Sequence, residues 1–196
     1  MLKIKNSKLF LLITILLTLC LQACLPAVLV AGVAAGGIIV YDNRSSHAIV
    51  SDRTITYKAQ ANLDSDAELR SKAHVIATSF NESVLITGQA PTPELRDSAL
   101  SLVQKVPNVK HIYNEVTVEE PLAANARSRD VWITTKVKAA LLAQKGLHST
   151  QIKIVTEKGT VYLLGLVTNG QGQLAAEVTK NVNSVQKVVK AFEYLE

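Results

Sequence analysis

The sequence predicts an α+β protein whose folded part is two tandem copies of one α-β-β-α-β unit, each a three-stranded sheet with both helices on one face. Three observations predict it: an internal repeat, a switch of hydrophobic period inside each copy, and turn residues at matching places. "VLITGQA" (Val84 to Ala90) and "VYLLGLV" (Val161 to Val167) align on Gly88 and Gly165 at an offset of 77 residues. Upstream, Ile55 and Leu63 match Ile133 and Leu141 at an offset of 78. Downstream, Ala99, Leu102, Val106, Val109 and Val116 match Ala175, Val178, Val182, Val185 and Phe192 at 76. Slips of one residue that fall between elements are what loop insertions and deletions produce, so the chain is a duplication.

Each element follows from local chemistry. Asp52 and Asp130 are the expected caps of a first helix, along which Ile133, Val137, Ala140, Leu141 and Gln144 form a helical stripe in the second copy. Two strands follow, about His74 to Ser79 and Ser83 to Gln89 across Asn81-Glu82, and Gln151 to Thr156 and Thr160 to Val167 across Glu157-Lys158-Gly159. Alternation places Val161 and Leu163 on one face. Thr92 before Pro93 starts a second helix, with Leu95, Ala99, Leu102, Val103 and Val106 at helical spacing. Pro107-Asn108 or Asn183-Ser184 ends it, and a last strand runs about His111 to Val118 or Lys187 to Leu195.

Ahead of the repeats lies a targeting segment. Lys3, Lys5 and Lys8 precede the apolar run Leu9 to Leu19, an n-region and h-region of signal-peptide type. The run meets Leu21-Gln22-Ala23-Cys24, which resembles the lipobox of bacterial lipoproteins. Residues 1–23 are then a cleaved signal peptide, and Cys24 carries a diacylglycerol and an N-acyl chain, fatty acids of the palmitate kind. Cys20 is the poorer acceptor, because Leu19 fills its −1 site. The competing reading is a transmembrane anchor, since apolar character resumes from Leu25 to Tyr41, but Pro26 would interrupt a single span. Leu25 rather than Asp follows the cysteine, which in enteric-type bacteria favours the outer membrane, here lipid-anchored and facing the periplasm. Residues 24–50 form the lipidated cysteine and an apolar tether, in which Gly32, Gly36 and Gly37 allow either a pliant linker or packing on another surface. The first domain spans 51–120, the linker 121–127 and the second domain 128–196.

Charge separates the copies. The formal net charge of +5 includes Lys3, Lys5 and Lys8, so a chain beginning at Cys24 keeps +2. From Ser45 to Glu120 there are 7 Lys/Arg against 10 Asp/Glu, and from Arg127 to Glu196 there are 10 against 5. The basic second copy suits an anionic partner, and for an exported protein that partner is phospholipid rather than nucleic acid.

No catalytic constellation stands out. His47, His74, His111 and His148 are dispersed, and once Cys20 is removed and Cys24 acylated no thiol remains for a disulfide, redox centre or metal. Asp64-x-Asp66-x-Glu68 opens like a calcium loop, but Leu69 stands where that loop needs Gly and Val75 where it needs Glu. Gly170-x-Gly172-x-x-Ala175 satisfies the dinucleotide fingerprint formally, but the large parallel sheet that motif needs is missing, and the glycines read as turn residues. The expectation is a non-enzymatic protein with no cofactor and no metal.

The α-β-β-α-β copies, the strands ending in Gly88 and Gly165, "RDVWITTKVKAALL" (Arg129 to Leu142) and "NSVQKVVKAF" resemble the BON domain. Two such domains behind a lipobox are similar to the dual-BON outer-membrane lipoproteins of Gram-negative bacteria. Copy one departs from the pattern: Tyr57, Lys58 and Ala59 replace "TKVKA", and its first hairpin has no turn glycine. The resemblance implies a non-enzymatic protein that associates with phospholipid membranes and supports outer-membrane integrity; a protein-protein adaptor docking on an outer-membrane assembly or cell-wall enzyme complex is the alternative.

The family resemblance points at the first helix of the second domain, and its periodicity singles out a face. On a wheel of about 100° per residue Trp132 falls roughly 130° from the centre of the core stripe. Val131, Thr135, Ala139 and Leu142 share its side, and Lys136 and Lys138 flank it. An indole with small apolar neighbours and bordering lysines suits the headgroup boundary of an anionic membrane. The competing reading has Trp132 covering the other domain or a loop. If Cys24 is the acylated residue, Cys24→Ala abolishes metabolic labelling by a fatty-acid analogue and Cys20→Ala does not; retained labelling in Cys24→Ala removes the lipoprotein assignment.

Overall fold

The computed structural model describes residues 42 and 44–195. Cys24, the signal segment and the tether lie outside them. The first domain comprises α1 (Ser46–Ser65), a short α2 (Ala67–Lys72), β1 (His74–Phe80), β2 (Ser83–Ala90), α3 (Pro93–Gln104) and β3 (His111–Val118). The second comprises α4 (Ala124–Ala143), a 3-10 turn (Ser149–Gln151), β4 (Ile152–Glu157), β5 (Thr160–Val167), α5 (Asn169–Lys180) and β6 (Lys187–Tyr194).

Each sheet has its middle strand second in sequence, with orders β1-β2-β3 and β4-β5-β6. The first pair is antiparallel and the second parallel, so each domain contains one small βαβ crossover. Both helices of a domain pack on one sheet face. In the first, Ile55, Ala59 and Leu63 of α1 meet Leu95, Ala99 and Val103 of α3 over Val84 and Ile86. In the second, Ile133, Val137 and Leu141 of α4 meet Ala175 of α5 over Val161 and Leu163.

The expected caps are not caps. α1 begins six residues before Asp52, after Ser45, whose side chain accepts from the Ala48 N–H, and α4 begins after Ala123, which makes no side-chain cap. Asp52 and Asp130 lie inside their helices, buried, and each bonds the neighbouring hairpin turn. Asp52 accepts from the backbone N–H of Asn81 and of Glu82, both at 2.8 Å. Asp130 accepts from those of Lys158 at 2.8 Å and Gly159 at 2.9 Å. Asn81, Glu82, Lys158 and Gly159 all have positive φ, the pattern of a type I′ hairpin turn. In copy one, where no glycine relieves that conformation, the Asp52 carboxylate also bonds Ser79 Oγ and Arg44.

The aligned glycines have a steric cause. A Cβ on Gly88, whose φ is +124°, would sit 1.9 Å from the His74 carbonyl oxygen, and one on Gly165 would sit 2.9 Å from that of Gln151. Asp66 is the N-cap of α2, accepting from the N–H groups of Glu68 and Leu69. Gly170 and Gly172 lie in the first turn of α5 behind the cap Thr168 rather than in a turn, and Gly172 is buried against Phe192 and Tyr194.

The sheets also have apolar backs, and these face each other. Leu85 and Phe80 of the first domain join Tyr162 and Leu164 of the second in a third core, flanked by Val155, Leu166, Val189 and Ala191. This explains why all eight residues of β2 are buried: one face meets helices and the other meets the second sheet. Full burial of each leucine contributes about 1.5–3 kcal/mol. Polar contacts frame this core. Gln89 Nε2 donates to Glu157 at 2.6 Å while its oxygen accepts from the Leu122 N–H of the linker. At the other end Asn81 and Ser83 donate to Glu193. Burial pushes the Glu157 carboxyl above its ordinary value, against the lowering effect of the Gln89 hydrogen bond.

Two predictions follow the buried carboxylates. Asp130→Ala, which strips two backbone donors of a charged acceptor, lowers stability by about 2–4 kcal/mol in urea unfolding, and Asp130→Asn recovers only part of the loss. Glu157 has a folded pKa raised above 4.5, so its contribution is fully present below that value and is lost as pH rises through the raised one. Glu157→Gln therefore melts at a higher temperature than the parent at neutral pH, and the gap closes as pH falls toward 4.5.

Candidate functional site

Helix α4 divides its residues between two sides. Its inner stripe, Ile133, Val137 and Leu141, is buried. Its outer side presents Val131, Trp132 and Leu142, which are 68%, 62% and 57% exposed. Scattered single apolar residues on a surface need no explanation, but a tryptophan grouped with a valine and a leucine on one helix face does. Most of the Trp132 side chain is left to solvent.

The structure brings the other expected residues to different edges of this face. Thr135 is exposed, and its hydroxyl donates to the Val131 carbonyl, so it offers the surface mainly a methyl group. Ala139 is exposed beside it. Lys136 turns toward the end of α5, where its ammonium donates to the Asn183 carbonyl and lies near Ser184 Oγ. That contact holds a positive charge at one border while bonding it to a neutral partner. Lys138 is exposed at the opposite border and lines a cleft with Thr150, Ile152, Lys153 and Ile154. Trp132 therefore sits between one anchored and one outward cation.

The other wall of that cleft belongs to α1. Tyr57 is 76% exposed, Arg53 is exposed one turn earlier, and Val50 continues the stripe at 65%. The repeat alignment carried the signal: at the offset of 78, Tyr57 occupies the place of Thr135 and Arg53 that of Val131. Arg44 stacks over the Phe80 ring at 4.2 Å, and its guanidinium bonds Asp42 and Asp52. That pairing holds the Asp42 carboxyl below its ordinary value and raises the pKa of Arg44 further.

Among the described residues no three His, Cys, Asp or Glu side chains are placed to hold a metal ion, and no helix is long and apolar enough to cross a membrane. The arrangement offers surface chemistry, an apolar helix face bordered by cations, on a scaffold of two interlocked α+β modules.

Comparison with known proteins places that scaffold. The BON domain family model matches residues 51–120 and 129–196. The chain belongs to the dual BON-domain lipoprotein family. It is 34% identical over 165 residues to the outer membrane lipoprotein DolP of Haemophilus influenzae, covering 84% of this chain and 86% of that one. It is 37% identical over 155 residues to the 21 kDa hemolysin of Actinobacillus pleuropneumoniae, covering 79% and 80%. Among solved structures, CdsD, a structural protein of the Chlamydia trachomatis type III secretion system, aligns over 72% of this chain and 92% of its own with a TM-score of 0.31 at 8% identity. No function follows from so distant a likeness.

Proposed function

We propose that this chain is a non-enzymatic lipoprotein of the outer membrane, held there through acylated Cys24 and facing the periplasm, whose second domain lays the outer face of α4 on anionic phospholipid and so supports membrane integrity. The observation that carries the reading is the exposed group Val131, Trp132 and Leu142 on a basic domain. A tryptophan gains at the headgroup boundary, where its ring is half buried and its N–H stays solvated. Cations near an anionic leaflet contribute about 1 kcal/mol each. The outer-membrane placement is supported by the name of the Haemophilus relative. Two or more acyl chains give stable attachment on their own, so the helix face orients the domains rather than supplying the anchor.

The test uses residues 42–196 without the lipid, floated with vesicles containing anionic phospholipid. Trp132→Glu is expected to weaken binding roughly tenfold or more without unfolding the protein, and Lys136→Glu roughly fivefold. Added salt mimics the second loss, and Trp132 fluorescence shifts to the blue on vesicle addition. Unchanged flotation of a folded Trp132→Glu protein overturns the lipid reading and leaves the adaptor, which has no reason to float.

A further inference from the structure

Among the described residues β6 is an edge of the second sheet, paired with β5 alone, and between it and α5 lies an open groove of about 440 Å³. Its floor is apolar: Ala176, Val185 and Val188 are half-buried there, packed against the second core. Three lysines rim it, Lys180 from the last turn of α5 and Lys187 and Lys190 from β6, against one carboxylate, Glu177. All four charged side chains are exposed, and among the described residues none of the three lysines has an ion pair or a hydrogen bond.

The first domain has the same place without these features, at the offset of 76 that relates the two copies. Leu100, packed on the first core, stands where the second copy has Ala176, so the smaller side chain opens a space that copy one fills. Gln104, His111 and Asn114 stand where the second copy has Lys180, Lys187 and Lys190. The strand edges differ too. Alternate residues of a parallel strand send their N–H groups to the neighbouring strand. Glu119 donates to Ala90 and Leu195 to Val167, which turns the N–H groups of Val116 and Phe192 outward. Asn114 Oδ1 accepts from the Val116 N–H at 3.2 Å and so covers the edge of β3. Lys190, at the matching place, has only donors and cannot cover the Phe192 N–H. An edge strand with uncovered N–H groups is a template for a further strand.

We propose that the edge of β6 takes an extended, acidic segment of a partner protein as a fourth strand of the second sheet, with alternate apolar side chains over Ala176, Val185 and Val188 and carboxylates toward Lys180, Lys187 and Lys190. Backbone hydrogen bonds give an added strand its affinity, and the pockets beside it give specificity. The excess of lysines sets the sign of the partner, because a basic segment is repelled from the groove before it can pair. None of the residues assigned to the membrane takes part, so the inference stands apart from the lipid reading: α4 meets lipid and β6 meets protein.

The experiment uses the full chain in a neutral detergent micelle. The probe is a capped, dye-labelled peptide that alternates valine and glutamate over eight residues, the length of β6, read by fluorescence anisotropy. Saturable binding of one peptide per chain is expected, with slower amide exchange at Phe192. The surface variant Lys190→Glu weakens it roughly tenfold or more. Ala176→Leu, which installs the residue of copy one, weakens it without unfolding the chain. Peptides with lysine in place of glutamate, or N-methylated at alternate residues, lose binding. Absence of saturable binding, or equal binding by Lys190→Glu, overturns the proposal, and a methylated peptide that binds as tightly overturns the added strand. A lysine on an edge strand also deters pairing between copies. Light scattering that shows Lys190→Glu to self-associate, with no peptide bound by the parent, assigns that role instead and overturns the proposal. Loss of flotation on anionic vesicles by Lys190→Glu, again with no peptide bound by the parent, gives the lysines to the membrane and overturns it as well.

Discussion

A buried carboxylate on the first helix of each copy holds the turn of the first hairpin by two backbone N–H groups. Much of the architecture depends on this bond. A two-residue turn with positive φ at both positions costs energy in any sequence, most in copy one where both residues carry side chains. The charged acceptor offsets that cost, because hydrogen bonds to an ionised group are roughly twice as strong as neutral ones. It also fixes where the helix crosses the sheet. The core stripes, Ile55 to Leu63 and Ile133 to Leu141, then fall on the middle strand.

The second constraint is the back-to-back packing of the sheets. A domain of about 70 residues buries only a modest part of its surface. Here each domain lends the other an apolar roof, and the polar frame of Gln89, Glu157 and Glu193 sets the register between them. The arrangement leaves the helices on the outside of both layers. It brings α1 and α4 to the two walls of one cleft, with Lys153 reaching across.

Much of this was legible in the sequence because it is local. The duplication, the strand alternation and the helical stripes of α3 and α4 come from residues a few positions apart. The helix starts were misread because an aspartate before an apolar stripe has the signature of a cap, while Ala123 offers no signal at all. What separates a cap from a turn clamp is the position of a hairpin some thirty residues away, which no local pattern contains. The outward face of α4 could be found by subtracting its core stripe. The bonding of Lys136 to Asn183 could not, since it depends on where α5 ends. The cleft was illegible for the same reason: its cations come from different copies, and β4 showed Lys153 only as a polar residue between two isoleucines.

The turn clamp and the core stripe together use only the inner side of the first helix. Apart from the bond of Lys136 to the Asn183 carbonyl, the outer side is therefore free of structural duty, and the two copies have spent that freedom differently: Thr54, Tyr57 and Lys58 in one stand where Trp132, Thr135 and Lys136 stand in the other. A gene duplication that begins with two identical scaffolds can in this way drift into two chemistries on one body without either half losing its fold. The unit that evolves is the exposed helix face, and the duplicated fold beneath it is what makes such divergence cheap.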